Sequence, residues 1–204
     1  MNSTLSESLI FLPGASGNVT VWQQVSDGLC HPGRREFITW PGFGGVPPEP
    51  GVHGMDDLVA RVVNAITGPT DILAQSMGGT IAIRAALEKP GLVRHLVLSV
   101  TSGGIDLASL GAADWRPWYR DAFPSLPDWF VTERVDLTDR LQELPMPVLL
   151  LWGDADPISP VAVGKRLAEL IPRSELVIVP GGTHDLVVER SADVIPPIQT
   201  LLAS

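Results

Sequence analysis

The segment Asp71–Thr80, DILAQSMGGT, decides the fold. It begins as an apolar strand, turns sharply within Gln75–Gly79 and continues as a helical pattern. A turn of this kind lifts its central residue above the sheet and needs small residues two positions before and two positions after it, because the backbones nearly touch there. Ala74 and Gly78 fill those positions around Ser76, which makes Ser76 a candidate nucleophile. The alternative is that Ser76 only caps the helix.

Short apolar runs alternate with helical patterns along the rest of the chain. The runs are rich in Ile, Leu and Val without regular alternation, which is typical of strands covered on both faces. They are Leu9–Leu12, Glu36–Trp40, Asp71–Ala74, His95–Ser99, Val148–Trp152 and Leu176–Val179. The helical patterns cover Met55–Ile66, Ser76–Glu88, Val161–Ile171 and Asp185–Leu202. We expect the last helix to break at Pro196-Pro197. The order predicts parallel strands with helices on both faces of one sheet.

Two regions depart from this alternation. Pro41–Gly54 is dominated by Pro and Gly and is predicted to be a loop. Residues 102–145 are too long for a simple connection and are predicted to form a short cap or lid on a single domain spanning residues 1–204. The insertion gathers six large aromatic residues, which favours an apolar pocket wall; the alternative is that they fasten the insertion to the body. They are Trp115, Trp118, Tyr119, Phe123, Trp129 and Phe130.

Two later loops carry polar groups that suit a serine nucleophile. LLLWGDADPISP, residues 149–160, places Asp154 and Asp156 just past the end of a predicted strand, and VIVPGGTHDLV, residues 177–187, places His184 past the end of the next. In an open parallel sheet these loops share the edge where ligands bind. The order Ser, Asp, His along the chain matches the order of a hydrolase triad.

The segment Phe11–Trp22, FLPGASGNVTVW, also follows an apolar run, and its Gly-x-x-Gly turn raises the possibility of dinucleotide binding. That motif requires a third glycine where Thr20 stands, and an acidic residue at the end of the second strand, which here ends at Trp40. A Gly-Lys-Ser/Thr phosphate loop is absent as well. The sequence therefore argues against a nucleotide site.

Taken together, AQSMGG, LLLWGDADPISP, PGGTHD and FLPGASGN resemble the α/β-hydrolase superfamily over nearly the whole chain. The resemblance implies a mostly or wholly parallel six-stranded sheet with helices on both faces. The chain begins at what would be the third strand of the family, so the N-terminal hairpin is expected to be missing. The family carries its cap where residues 102–145 lie.

The resemblance also implies roles for individual residues. The acid would be Asp156, the second Asp of Gly-Asp-x-Asp, with Asp106 and Asp154 as open alternatives. His184 would be the base. The turn after the first strand would supply an oxyanion donor from the N–H of Ala15, next to Gly14, and the residue after the nucleophile, Met77, would supply the second donor. We expect the pocket to be lined by Gly14, Gln75, Trp22, Phe43, Trp115, Trp118, Phe123 and Trp129.

This chemistry predicts a serine hydrolase that cleaves a small-molecule ester of a small or medium acyl group. The alternatives are a thioesterase, a lactonase, a carbon–carbon bond hydrolase with the same triad, or a non-catalytic ligand-binding member of the fold. Scattered His and Asp residues show no metal spacing, so we expect no metal and no organic cofactor.

Composition limits the partners and the compartment. The net charge of −9 argues against nucleic acid as the main partner. No apolar run approaches the roughly 18 residues of a membrane span, and the N-terminal segment lacks a basic leader. Cys30 is the single cysteine, which excludes an internal disulfide and predicts a cytoplasmic protein. The sequence leaves the oligomeric state open.

Overall fold

The six predicted apolar runs form one sheet. The structure is a computed structural model that describes residues 6–123 and 126–204. The strands are β1 (Ser8–Leu12), β2 (Arg34–Phe37), β3 (Thr70–Gln75), β4 (Val93–Ser99), β5 (Val148–Gly153) and β6 (Ser174–Val179). Their order across the sheet is β2-β1-β3-β4-β5-β6, and every neighbouring pair is parallel. The predicted parallel six-stranded sheet is confirmed, and the carboxyl ends of all six strands share one edge.

Strand β2 lies earlier in the chain than the predicted Glu36–Trp40. It is an edge strand whose register pairs Ser8 with Arg34 and Phe11 with Phe37. An edge strand has one free side, so charged residues at its start are compatible with pairing and discourage contact with other sheets. The chain then leaves the sheet, and Trp40 turns into the core, where its indole Nε1–H donates to the Pro13 carbonyl at 3.0 Å.

Eight α-helices are assigned within the described residues. They are α1 (Gln23–Gly28), α2 (Met55–Ala65), α3 (Met77–Glu88), α4 (Arg116–Ala122), α5 (Asp128–Thr132), α6 (Val161–Leu170), α7 (Leu186–Glu189) and α8 (Ser191–Leu202). Short 3₁₀ segments add Val19–Trp22, Ala108–Leu110 and Thr138–Glu143. In these residues no helix has the length and apolar character to cross a bilayer.

The predicted break at Pro196-Pro197 is wrong. The interruption falls at Arg190, and α8 runs continuously through both prolines. Proline removes the hydrogen bond to the carbonyl four residues earlier, here on Ala192 and Asp193, both of which are exposed and open to solvent. The helix is held by its apolar stripe, which packs on the sheet through Val194, Ile198 and Leu202.

Two apolar layers cover the sheet. One contains the buried side chains of α2, α3 and α6 together with part of the insertion. The other contains those of α1, α7 and α8. Successive side chains of a strand point to opposite faces of the sheet. Leu12 and Ala74 therefore lie in the first layer, whereas Phe11 and Leu73 lie in the second. Both layers support the edge at which the strand ends meet.

The predicted insertion leaves the sheet after β4 and returns at β5. It contains α4, α5 and two of the 3₁₀ segments. Its residues 124 and 125 lie outside the described residues, as do residues 1–5 of the predicted domain. Phe130 packs edge-on against the fully buried Phe43 of the Pro/Gly loop, with ring centroids 5.5 Å apart. The insertion is therefore anchored to the body next to the carboxyl edge of the sheet.

A buried polar cluster lies at the opposite edge. His95 Nδ1 is 2.8 Å from Asp71 Oδ1, and His31 Nε2 is 3.5 Å from Asp71 Oδ2. Burial lowers the pKa of His31, with the Asp71 carboxylate acting in the opposite direction. A surface cavity of about 400 Å³ beside His95 is lined also by Arg173 and Pro147. These histidines lie away from the carboxyl edge, as their positions in the sequence indicate.

Candidate active site

Ser76 occupies a strained turn between β3 and α3. Its backbone has φ of 52° and ψ of −121°, a conformation that residues other than glycine rarely adopt. This conformation lifts Oγ clear of both elements. A Cβ at Gly78 would lie 2.5 Å from the Pro13 carbonyl oxygen, and one at Gly79 would lie 2.5 Å from Thr101 Cβ. Both glycines are therefore required by close packing. Ala74, at the position of the first Gly in a G-x-S-x-G turn, is fully buried and its methyl group is accommodated.

Thr101 supports this turn and was not among the predicted site residues. Its Oγ1–H donates to the Ser76 carbonyl at 2.6 Å, and its own carbonyl accepts from Ser159 Oγ at 3.2 Å. The preceding Val100 has a φ of 44°, which is a strained value for a β-branched residue. The strain turns the chain at the end of β4 so that Thr101 reaches the turn. Its place two residues after the end of β4, at the shared edge, was the available sequence signal.

The structure brings Ser76, His184 and Asp156 into one hydrogen-bonded row. His184 Nε2 is 2.9 Å from Ser76 Oγ, and His184 Nδ1 is 2.7 Å from Asp156 Oδ2. The Asp156 side chain is fully buried, whereas the His184 side chain is 21% exposed. In this arrangement one imidazole nitrogen faces the hydroxyl and the other faces a carboxylate shielded from water. The row can move a proton from serine to histidine.

The Asp156 carboxylate is oriented by its own loop. Its Oδ1 accepts the backbone N–H groups of Ile158 at 2.8 Å and Ser159 at 3.1 Å, which leaves Oδ2 for the histidine. The two alternative acids have other partners. Asp154 Oδ1 accepts from Gly181 N at 2.6 Å, and Asp106 Oδ1 accepts from Ala108 N at 3.1 Å. Both are exposed turn residues that satisfy nearby backbone groups.

The acid and histidine loops touch backbone to backbone. A Cβ at Gly153 would lie 2.1 Å from the Gly182 carbonyl oxygen. The Gly182 carbonyl also accepts from Ala155 N at 3.0 Å. The glycines in WGD and PGGTHD therefore bring the loops close enough for the short contact between Asp156 and His184.

The turn after β1 packs directly on the serine turn. A Cβ at Gly14 would lie 3.1 Å from Ser76 Cβ and 2.9 Å from Gln75 Oε1. Gly14 N–H donates to Gln75 Oε1 at 3.1 Å, so it is already occupied. Within residues 6–123 and 126–204, no acceptor in the protein is assigned to the N–H of Ala15 or Met77. Those two groups are the available donors beside Ser76.

We expect Gly14→Ala to lower kcat for an ester substrate by about 10- to 100-fold, because the added methyl group displaces the turn from the serine. Steady-state kinetics with a chromogenic ester measures the change. Gly51→Ala is the matched control, since a Cβ there meets no atom within 4 Å and its φ is not left-handed. Equal activity of the two variants would show that close packing at Gly14 is not required.

Three of the predicted pocket residues have other roles. Trp22 is fully buried in the layer opposite the insertion, and its Nε1–H donates to the Leu12 carbonyl at 2.9 Å. The pocket assignment of Trp22 is therefore wrong, because loop position does not reveal which face of the sheet a side chain covers. Gln75 is 4% exposed with both ends of its amide engaged. Phe43 is fully buried as a core contact of the insertion.

The insertion aromatics divide into a packed group and an exposed group. Trp115 and Trp129 are half-buried around Phe130, with ring centroids 5.1 and 6.3 Å from it. Trp118 and Phe123 are 62% and 42% exposed and face solvent at α4. Burial raises the pKa of Tyr119, which lies between the groups, to about 12, so its phenol remains neutral. The insertion thus exposes apolar ring surface at Trp118 and Phe123, whereas the O–H group of Tyr119 is buried.

Sequence comparison identifies the family of this site. A model described as the alpha/beta hydrolase family matches residues 9–136, which is more than half of the chain. The chain belongs to the alpha/beta hydrolase family. A second model, described as TAP-like protein, matches residues 125–204 of this hydrolase.

Individual proteins that are similar to this hydrolase are consistent with its membership of the family. A pimeloyl-[acyl-carrier protein] methyl ester esterase of Aliivibrio fischeri is 22% identical over 240 aligned positions, covering 95% of this chain and 93% of that one. A thermophilic esterase from Thermogutta terrifontis has a TM-score of 0.79 at 22% identity, covering 98% and 90% of the two chains. A meta-cleavage product hydrolase from Pseudomonas fluorescens has a TM-score of 0.76 at 19% identity, covering 98% and 91%. The two structures show the same fold.

Proposed function

We propose that this alpha/beta hydrolase cleaves carboxylic esters of small or medium acyl groups through a covalent acyl-enzyme on Ser76. The hydrogen-bonded row of Ser76, His184 and Asp156 carries the proposal. Relatives in the family are named esterases, which supports an ester as the substrate class. An intact row of this kind also argues against a non-catalytic ligand-binding member of the fold.

In the first half of the reaction, His184 Nε2 takes the proton of Ser76 Oγ while Oγ attacks the ester carbonyl carbon. The hydrogen bond to Asp156 holds the imidazole tautomer and stabilises the imidazolium that forms. The carbonyl oxygen becomes an oxyanion and accepts from the N–H groups of Ala15 and Met77. The oxyanion then collapses, the alkoxide leaves with the proton from His184, and the acyl group remains on Ser76.

In the second half, water enters where the alcohol left. His184 takes a proton from the water as its oxygen attacks the acyl carbon, and the same two N–H groups stabilise the second oxyanion. Ser76 Oγ leaves, takes the proton back from His184, and the carboxylic acid departs. The overall reaction adds one water across the ester bond and needs no redox partner.

We assign acyl-group recognition to the insertion. Trp115 and Trp129 are half-buried against Phe130, so part of each ring faces away from the core. Apolar walls of this kind bind acyl chains by burying their surface, at about 0.8 kcal/mol for each buried CH₂. The shortness of the insertion supports a small or medium chain over a long one.

A substrate panel tests the proposal. We expect p-nitrophenyl esters from acetate to octanoate to give the highest kcat/KM, with lower values for palmitate, an acyl-CoA thioester, a lactone and a β-diketone. A fluorophosphonate probe is expected to label Ser76 covalently, as peptide mass spectrometry detects. Labelling with a preference for the β-diketone would instead assign the triad to carbon–carbon cleavage. Absence of both labelling and turnover would indicate a ligand-binding role.

A further inference from the structure

Gln75, the last residue of β3, connects two loops that come from distant parts of the chain. Its side-chain Oε1 accepts the backbone N–H of Gly14 at 3.1 Å. Its Nε2–H donates to the backbone carbonyl of His184 at 3.0 Å. The side chain is 4% exposed, so these bonds lie largely out of water. One amide therefore joins the turn after β1 to the loop after β6, beside Ser76.

Few side chains can make this connection. One end must accept and the other must donate, which an amide does and an ionised carboxylate or a thioether does not. A Cβ at Gly14 would already lie 2.9 Å from Oε1, so the turn rests directly on the amide. The length of Gln75 thus matches the gap between the two loops.

The connection fixes groups that the proposed reaction uses. The bond to Gly14 N sets the position of the next N–H along the chain, which is that of Ala15. The bond to the His184 carbonyl restrains the backbone that carries the imidazole. Hydrogen bonds to a developing oxyanion depend strongly on donor position, because donors must lie within about 2.7–3.1 Å of it.

We propose that Gln75 is a positioning residue, which holds the oxyanion turn and the histidine loop in register and thereby sets the rate of the chemical step. This inference rests on the proposed ester hydrolysis at Ser76. Gln75 touches neither the substrate nor the reacting atoms, and it acts through Ala15 and His184.

The test compares Gln75→Met with a matched control. Gln199 makes a similar two-ended contact far from the site, accepting from Cys30 N at 2.7 Å and donating to the Cys30 carbonyl at 3.3 Å. We expect Gln75→Met to lower kcat by about 10- to 100-fold with KM within about 3-fold, because donors are displaced rather than removed. Gln199→Met is expected to keep wild-type kcat. Rates are expressed per active site titrated with a fluorophosphonate, so that unfolded protein is not counted.

Two further readouts separate positioning from a merely structural role. An alkylboronic acid forms a tetrahedral adduct on serine, and its affinity for Gln75→Met is expected to fall in parallel with kcat/KM. Gln75→Glu keeps an acceptor for Gly14 N but adds a negative charge near His184. It also loses the N–H donor to the His184 carbonyl, so we expect its kcat per labelled active site to fall by about 10-fold or more.

The outcomes distinguish this inference from the proposed function. If the wild-type protein neither labels nor hydrolyses esters, the proposed function fails. If the wild-type protein is active, but Gln75→Met keeps its kcat and boronic acid affinity, the inference about Gln75 is wrong and the function stands. If Gln75→Met does not fold, the kcat of Gln75→Glu per labelled active site decides: a wild-type value overturns the inference, and a loss of about 10-fold or more supports it.

Discussion

Replacing Ser76 with alanine is expected to lower kcat/KM for p-nitrophenyl esters by about 10⁴- to 10⁶-fold, because the nucleophile is lost while substrate binding and the oxyanion donors remain. The substitution removes only Oγ. Alanine keeps the Cβ, so the left-handed backbone at this position carries the same strain in both proteins. The loss is measured by steady-state kinetics together with fluorophosphonate labelling, which is expected to disappear.

The matched control is Ser191→Ala. Ser191 Oγ–H donates to the exposed Gln24 Oε1 at 2.9 Å and to no residue of the triad. We expect this variant to keep wild-type kcat/KM and labelling. Circular dichroism and thermal unfolding of both variants check the fold. A Ser76→Ala protein that retains more than about one tenth of the wild-type rate would exclude Ser76 as the nucleophile.

The sheet was predictable because its strands are buried on both faces. Continuous apolar runs such as Val148–Trp152 have no other favourable location in a chain of this length. The serine turn was predictable for a steric reason, since Gly78 and Gly79 stand where any larger side chain would meet Pro13 or Thr101. Burial on both faces and close backbone packing each restrict the residue type at a position, so both can be recognised in the sequence.

The wrong predictions concern features set by long-range packing. The break at Pro196-Pro197 follows from local hydrogen-bond loss, but burial of Val194 and Ile198 against the sheet outweighs that loss. Trp22 was predicted to line the pocket because it lies in the segment that follows the first strand. The direction of its side chain depends on the 3₁₀ turn that precedes α1, which no pattern in the sequence indicated.

Gln75 illustrates a third case. Its position next to the candidate nucleophile was recognised, and it was assigned to the pocket because of that neighbourhood. The two groups it binds are 61 and 109 residues away along the chain. A side-chain amide gives no sequence signal for such partners, so its role emerges only when the loops after β1, β3 and β6 are seen together.

Asp156→Asn is expected to lower kcat by about 10⁴-fold at neutral pH, because the substitution changes the tautomer of His184. In the wild-type row, Asp156 Oδ2 faces His184 Nδ1, while Oδ1 accepts from Ile158 and Ser159. Asparagine keeps these two backbone bonds by placing its oxygen there, which turns its NH₂ group towards Nδ1. Nδ1 must then accept, the ring proton moves to Nε2, and Nε2 can no longer take the proton of Ser76.

The comparison with Asp154→Asn and Asp106→Asn identifies the acid. Both residues accept backbone N–H groups, from Gly181 and Ala108, and asparagine oxygens can accept the same bonds. We therefore expect either substitution to lower kcat by less than about tenfold. A large loss of kcat in one variant would identify that residue as the acid of the triad. Because a triad acts as a unit, adding Asp156→Asn to Ser76→Ala is expected to cost little beyond Ser76→Ala alone. Additive losses in the double variant would contradict a shared role for the two side chains.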